Sequence, residues 1–568
     1  MTPPRTRPSP SPAETPATPA VEPAAEPAPI AGRARAIALF AVLVGLLLDL
    51  LDIVIVNVAL PTIQEDIGAT GSNMQWMVGG YALAFATMLV TGGRLGDIYG
   101  RKRIFIIGMI GFATASLIAG IADNPEQLIL ARFFQGGMGA LMVPQVLSIL
   151  QVMYPPAERG RAFAGLSVVF AVGTVAGPIV GALLTAVNVA NLTWRTVFLV
   201  NIPIAVVCLL ITAKLVPESK GKSAQRLDVT GAALVGVGML LLVFPLITGP
   251  EQGWPAWTLV SLAASIATFA VLVAVQRRRT ESPLIPMSLF SHRSFRGGLA
   301  VSLLFMSGVM PFFLVNTLYL QFGQGFSVIK AGLIGIMWGF AVPLFTAISA
   351  RRITPKIGRL GLQLGLLMLI ASMVILITVI HQVDAANPWA LAPGLVLGGA
   401  GMGMTFAPLL TYTLNDVPLD SAGAASGVFN TVQQMGAAIG IALSSMVFFI
   451  ALAVQSTAVG DDLRNTVRDE LTARGVPVAT AESAAADART CLTERIKAAN
   501  PIADLDVCRA VSSQAGADVA DRHDDLQFTA NRTAYQQATE RALVYQIVVF
   551  ALAIAASFLL PRRVEHRG

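Results

Sequence analysis

Gly92-Gly93-Arg94-Leu95-Gly96-Asp97-Ile98-Tyr99-Gly100-Arg101-Lys102-Arg103 joins two apolar runs, 75–95 and 104–122. Each run is long enough to cross a bilayer, which takes about 20 residues as a helix. The glycines of the string permit a tight reversal and a close approach of backbones. Asp97 can bond exposed amides or pair with Arg101, one helical turn on. A basic turn on the cytoplasmic side of a membrane would explain the bases. It leaves the spacing of Gly and Asp unexplained, and the string as a whole is highly specific.

Outward from this loop, apolar runs of spanning length follow one another along the chain. There are fourteen: 36–60, 75–95, 104–122, 127–151, 162–186, 196–215, 229–248, 256–276, 297–320, 329–350, 361–381, 389–412, 424–454 and 542–560. Composition agrees. The 568 residues are 55% hydrophobic and 13% charged, with mean hydropathy +0.69, whereas a soluble domain carries about 25% charged residues. A soluble enzyme, a disordered scaffold and a disulfide-built secreted domain are excluded. The net charge of +6 needs no nucleic acid, because membrane proteins collect Lys and Arg in cytoplasmic loops. With the N-terminus inside, the bases of the short loops fall almost entirely on the inner side, and the short outer loops hold only Arg195 and Lys330. Both termini are therefore expected in the cytoplasm, and the number of spans is even.

Two segments are not apolar. The first 29 residues contain ten of the 33 prolines and read as a disordered tail. Residues 455–541 form one long polar stretch that the alternation of spans places outside. Leu463, Val467 and Leu471 recur at i, i+4 and i+8, and Glu470 precedes Arg474 by four, so part of that stretch should be helical. It holds Cys491 and Cys508, which outside the cell can pair as a disulfide or remain as two thiols.

Charges inside spans are costly and mark function. The first span has Asp49 and Asp52, three residues apart and so near one helix face. They can bind a proton or cation, or pair structurally with a neighbouring helix. The fourth span has Arg132, followed by Gln135. At 1.5 Å per residue, Asp52 and Arg132 reach similar depths, about 12 Å and about 9 Å from the outer ends of their runs. An ion pair is geometrically possible; the alternative is an arginine that snorkels to the interface.

The 92–103 string resembles the signature loop of the major facilitator superfamily. Leu51-Asp52-Ile-Val-Ile-Val-Asn57-Val-Ala-Leu60-Pro61, Arg132-Phe-Phe-Gln135-Gly136 and Gly173-Thr-Val-Ala-Gly177-Pro178-Ile-Val-Gly181 resemble further motifs of its drug:proton antiporters. Trp194-Arg195-Thr-Val-Phe198-Leu-Val-Asn201-Ile-Pro203, Gly249-Pro250-Glu251-Gln252-Gly253-Trp254 and Gly423-Ala-Ala-Ser426-Gly427 look like the fourteen-helix EmrB/QacA type. The resemblance implies an all-α polytopic fold of 14 transmembrane helices, as two six-helix bundles plus two inserted helices. The domains would be a 1–33 Pro-rich cytoplasmic tail, a 34–215 first bundle, a 216–296 insert, a 297–561 second bundle including the 455–541 outer loop, and a 562–568 basic cytoplasmic tail. Departures are Val54 where the family usually has Thr, Ala182 where it has Gly, and the additional Asp49. Arg351, Arg352, Lys356, Gly358 and Arg359 faintly echo the 92–103 loop in the second half.

The function this implies is proton-coupled export of amphipathic drugs or secondary metabolites across the plasma membrane by alternating access. Proton coupling would fall to Asp52, Asp49 and Arg132. Gly93, Asp97, Gly100 and Arg101 would form the gating loop, and Gly173, Gly177, Pro178 and Gly181 the antiporter motif. Asn57, Gln135, Met306, Met310, Phe313, Met337 and Trp338 are candidates for the substrate cavity, since Met and aromatic side chains make adaptable linings; lipid-facing or core packing is the alternative for the second-half residues. No cofactor or metal is expected, and the partners are protons, lipid and a small amphipathic substrate. The chain reads as a monomer, with 455–541 long enough to dock an envelope partner. Export of one dedicated metabolite, such as an amino acid, siderophore or lipid precursor, is a second transport reading. Hydrolase, metalloprotease and nucleotide-binding motifs are missing.

Overall fold

The computed structural model describes residues 32–69, 71–154, 169, 173, 177, 180–181, 183–184, 192–220, 228–249, 252–279, 283–382, 387–414, 416–417, 422–497 and 517–561. All regular structure among them is helical. Fourteen longer helices carry the architecture: α1 (Gly32–Ile67), α2 (Gly71–Tyr99), α3 (Arg101–Gly120), α4 (Pro125–Met153), α5 (Asn201–Leu215), α6 (Val229–Thr248), α7 (Ala256–Arg278), α8 (Arg293–Leu318), α9 (Val328–Ile348), α10 (Arg359–Gln382), α11 (Ala392–Leu414), α12 (Ala422–Ala473), α13 (Val478–Lys497) and α14 (Ala517–Ser557).

Twelve of the described helices are long and apolar enough to cross a membrane. The bent pair Trp76–Leu89 and Thr91–Tyr99 of α2, broken by 46°, makes thirteen. All thirteen coincide with expected spans. The remaining one, 162–186, lies mostly outside the described residues, so the count of fourteen stays an expectation.

In the first half, α4 packs along α2 and α3, while α1 lies against α5 and α4 and α3 also meets α5. In the second half, α8 packs on α12, α14 and α11, and α10 packs on α11 and α14. The halves meet where α2 lies along α12, and α6 rests against both. Helices α6 and α7 form a pair clamped at one end by the buried Asp228. Its carboxylate caps α6 at the Gly231 amide (2.8 Å), and accepts from Gln276 (2.7 Å), the Leu284 amide (3.2 Å) and Arg279. Arg94 donates to the Pro283 carbonyl (3.1 Å), tying α2 to the chain that leaves this pair. At the opposite end, Asp66 accepts from the Trp194 indole (2.9 Å) and from Arg195 (2.5 Å). Those two donors hold its carboxyl below the usual range.

Two helices run well past the ends of their apolar stretches. The apolar part of the thirteenth span ends near 454, yet α12 continues without a break to Ala473, and α14 begins at Ala517 rather than near 542. Nothing between 455 and 473 stops a helix; the stop comes at Gly475, whose φ of 83° suits glycine. The continuation buries Leu463, Val467 and Leu471 against Ala481, Ala484, Ala488 and Leu492 of α13. Glu470 and Arg474 pair at 3.2 Å, and Arg489 bridges to Asp461 at 3.0 Å. Gln527 of α14 donates to the Ala488 carbonyl at 2.6 Å. Polar residues 455–541 are thus largely a small helical element grown directly from two membrane helices. Cys491 is buried and disulfide-bonded, Cys208 is free, and Cys508 lies outside the described residues.

Leu471 is 2% exposed, so Leu471→Ala should cost about 2–4 kcal/mol locally. Hydrogen exchange should rise in α13 and the end of α12 and stay low in the membrane helices. Uniform loss of protection would show that this helical element is not a separate packing unit.

Candidate functional site

The apolar interior of the first half encloses a polar cluster, because four helices each contribute one or two side chains at the same level. Arg132 of α4 donates from Nη1 to Asp52 Oδ2 and to Gln135 Oε1 (2.7 Å), and from Nε to the Met77 carbonyl (3.1 Å). Gln135 donates from Nε2 to Asp52 Oδ1 (2.8 Å) and to Ser116 Oγ of α3 (2.8 Å). Asn201, at the start of α5, donates to the same two atoms at 3.0 and 3.3 Å. Asp52, Arg132, Gln135, Ser116 and Asn201 are all buried to within 2% of full enclosure. Removing ions from water is repaid only when their partners are this complete.

One turn before Asp52, Asp49 accepts a hydrogen bond from the Tyr81 hydroxyl of α2 at 2.5 Å. The face of the same Tyr81 ring lies 4.3 Å from the Arg132 guanidinium carbon, a cation–π contact. Tyr81 therefore touches both carboxylate sites, one through its hydroxyl and one through its ring. Two α4 glycines make this possible. A Cβ at Gly136 would strike the Tyr81 backbone, and one at Gly139 would overlap Asp49 Oδ1 and sit 3.1 Å from the Tyr81 hydroxyl.

The residues of the 92–103 loop stand apart from this cluster. Asp97 accepts from Arg101 at 3.0 Å. Gly100, at φ 116°, turns the chain so that Glu218 caps α3 at the amides of Lys102 (3.1 Å) and Arg103 (3.2 Å). An acidic group at a helix N-terminus is favoured by the orphan amides and the dipole. Lys102 Nζ reaches the Ala213 carbonyl at the end of α5 (2.7 Å). The second half repeats the device with different chemistry. Gly358 has φ 59°, and Arg359 donates to the carbonyls of Leu560 (2.8 Å) and Phe558 (3.3 Å) at the end of α14. Gly173 and Gly177 face Leu50 and Val54 of α1, on either side of Asp52; Gly181 is buried, and Pro178 lies outside the described residues.

The cavity candidates divide. Gln135 is an interior member of the Asp52 cluster, with both ends of its amide engaged. Trp338 is 1% exposed, stacked on Phe312 at 4.5 Å and edged by Phe313 at 5.6 Å, with its indole against Met402 sulfur. Met306 is likewise core. Met310, Phe313 and Met337 are only partly buried, and the Asn57 side chain lies outside the described residues. Tyr81, Ser116, Asn201 and Glu218 were not anticipated as site residues. Asn201 carries a signal, a polar amide within an apolar run, and Glu218 carries one in its place beside a basic turn. Tyr81 and Ser116 carry none.

The profile of the Major Facilitator Superfamily matches residues 42–441. A probable actinorhodin transporter of Streptomyces coelicolor is 39% identical over 533 residues, covering 93% of this chain and 92% of its own. The puromycin resistance protein pur8 of Streptomyces alboniger is 34% identical, covering 72% of this chain and 81% of its own. Among solved structures, a bacterial homolog of the human lysosomal transporter Spinster matches with a TM-score of 0.57 at 16% identity, over 93% of this chain and 98% of that one. That likeness concerns the fold alone.

Removing Arg132 strands a buried carboxylate. Arg132→Met should lower stability by about 3–5 kcal/mol, read as a fall in the melting temperature of the purified protein. The double variant Asp52→Asn/Arg132→Met should lose less than the two single variants together. Additive losses would show that the two side chains are not energetically coupled.

Proposed function

This chain belongs to the major facilitator superfamily, and we propose that it is a proton-coupled exporter of amphipathic antibiotics or similar secondary metabolites. The observation that carries the reading is the burial of two acids and one base at one level of the first half, Asp49, Asp52 and Arg132. Such charges serve proton or ion pathways when they occur inside a membrane. The names of the relatives, for transport of actinorhodin and resistance to puromycin, supply the substrate class.

In this reading the N-terminus is cytoplasmic, as the basic bias of the loops favours, and the halves rock about the contact of α2 with α12. Protonation and substrate occupancy compete through the Asp49–Asp52–Arg132 group. A proton entering from outside neutralises a carboxylate and favours release of the substrate. Exchange then follows from differential affinity for the two states. The Asp97–Arg101 loop and the Arg94 bond to Pro283 hold the cytoplasmic side. Met310, Phe313 and Met337, only partly buried, offer an apolar surface for a flat or amphipathic ligand. The outer helical element is held closed by a Cys491–Cys508 disulfide.

Expression in an efflux-deficient bacterium, tested with puromycin, ethidium and a set of aromatic polyketide antibiotics, should raise tolerance to at least one compound. A protonophore should abolish the gain. Protection against a single polyketide would narrow the reading to dedicated export. Unchanged tolerance to the whole set, with the protein present in the membrane, would overturn the substrate class.

A further inference from the structure

We infer that the two carboxylates of α1 divide the work: Asp52 is kept in a standing ion pair, and Asp49, bonded to Tyr81, takes up and releases the transported proton. This rests on the proton-coupled reading above and assigns the proton within it.

The first argument is a count of donors. Asp52 receives three, the Arg132 guanidinium on Oδ2 and the amides of Gln135 and Asn201 on Oδ1. Ser116 sits behind both amides and fixes their orientation. A proton on Asp52 would have to enter on Oδ2 beside the Arg132 guanidinium and would neutralise the acid of that ion pair. Asp49 has one partner among the described residues, Tyr81 on Oδ1, and its Oδ2 is free to form an O–H bond while the Tyr81 bond persists.

The second argument is a count of charge. On α1 itself the only other charged group facing Asp49 is Asp52. From α2 it meets Tyr81, and from α4 the nearby Arg132, already committed to Asp52, and Gly139, which leaves room for the carboxylate. Helices α3 and α5 contribute only the neutral Ser116 and Asn201 to the cluster. Among the described residues one guanidinium thus faces two buried carboxylates. With both ionised the cluster carries one net negative charge; one proton on Asp49 makes it neutral. Burial of an uncompensated ion is heavily penalised, so proton occupancy of Asp49 decides which state of the first half tolerates closure. Tyr81 carries the change onward, because its ring lies against Arg132.

Difference infrared spectroscopy of the full chain in lipid nanodiscs tests this with protons as the only ligand. Between about pH 6 and 8, exposed carboxylates, at about 4, no longer titrate. The wild type should show one titrating protonated-carboxyl C=O stretch in that window. The band should be lost in Asp49→Asn and shifted to higher frequency in Tyr81→Phe, which removes its hydrogen-bond donor. A band that survives in Asp49→Asn, or keeps its frequency in Tyr81→Phe, overturns the assignment. The absence of any titrating carboxyl in the wild type would sink the proton-coupled reading itself.

Discussion

Two carboxylates and one guanidinium inside an apolar helical layer are the constraint that the first half is built around. An ion in such a place is tolerable only if every lone pair and proton finds a partner. Side chains that are far apart in sequence must therefore arrive together: Asp52 from α1, Ser116 from α3, Arg132 and Gln135 from α4, and Asn201 from α5. The glycines of α4 are part of the same requirement. They let α2 come close enough for Tyr81 to reach Asp49 with its hydroxyl and Arg132 with its ring. A methyl group at Gly139 would press on the Asp49 carboxylate and crowd the Tyr81 hydroxyl, disturbing their hydrogen bond although it adds no charge.

The ends of the helices are governed by a weaker form of the same rule. Free amides and carbonyls at helix ends need partners, and the basic loops supply them. Glu218 answers the amides that open α3, while Lys102 answers a carbonyl closing α5. In the second half Arg359 does the corresponding work for α14. The two halves thus repeat a connection while changing its chemistry. Pro355 stands three residues before Gly358, in the place that Asp97 occupies before Gly100, so the second loop cannot form the internal acid–base pair and spends its arginine on carbonyls.

Much of this was legible in the sequence, and the limits have physical causes. Apolar run lengths locate all thirteen described spans, because a bilayer imposes a minimum length on them. Rise per residue was enough to match the depths of Asp52 and Arg132. Tyr81 was not legible, because its role depends on the rotation of α2 about its axis, which apolar content does not determine. The true length of α12 was hidden because hydropathy reports where lipid ends, while a helix ends only where residues such as Gly475 break it.

The second half solves a different problem, and the contrast explains the division of residues between them. Among the described residues its core holds no buried charged side chain. It is closed instead by large apolar groups, with Trp338 stacked on Phe312, edged by Phe313 and set with its indole N–H against the Met402 sulfur. Substituting one apolar side chain for another of similar volume in such a core usually costs less than about 1.5 kcal/mol, whereas stranding a member of the Asp52 cluster costs about 3–5 kcal/mol. Shape on the second side can therefore change in small steps, while the charged cluster on the first side changes only as a unit. A fold arranged in this way can vary the packing of its second half without disturbing the charged cluster of its first.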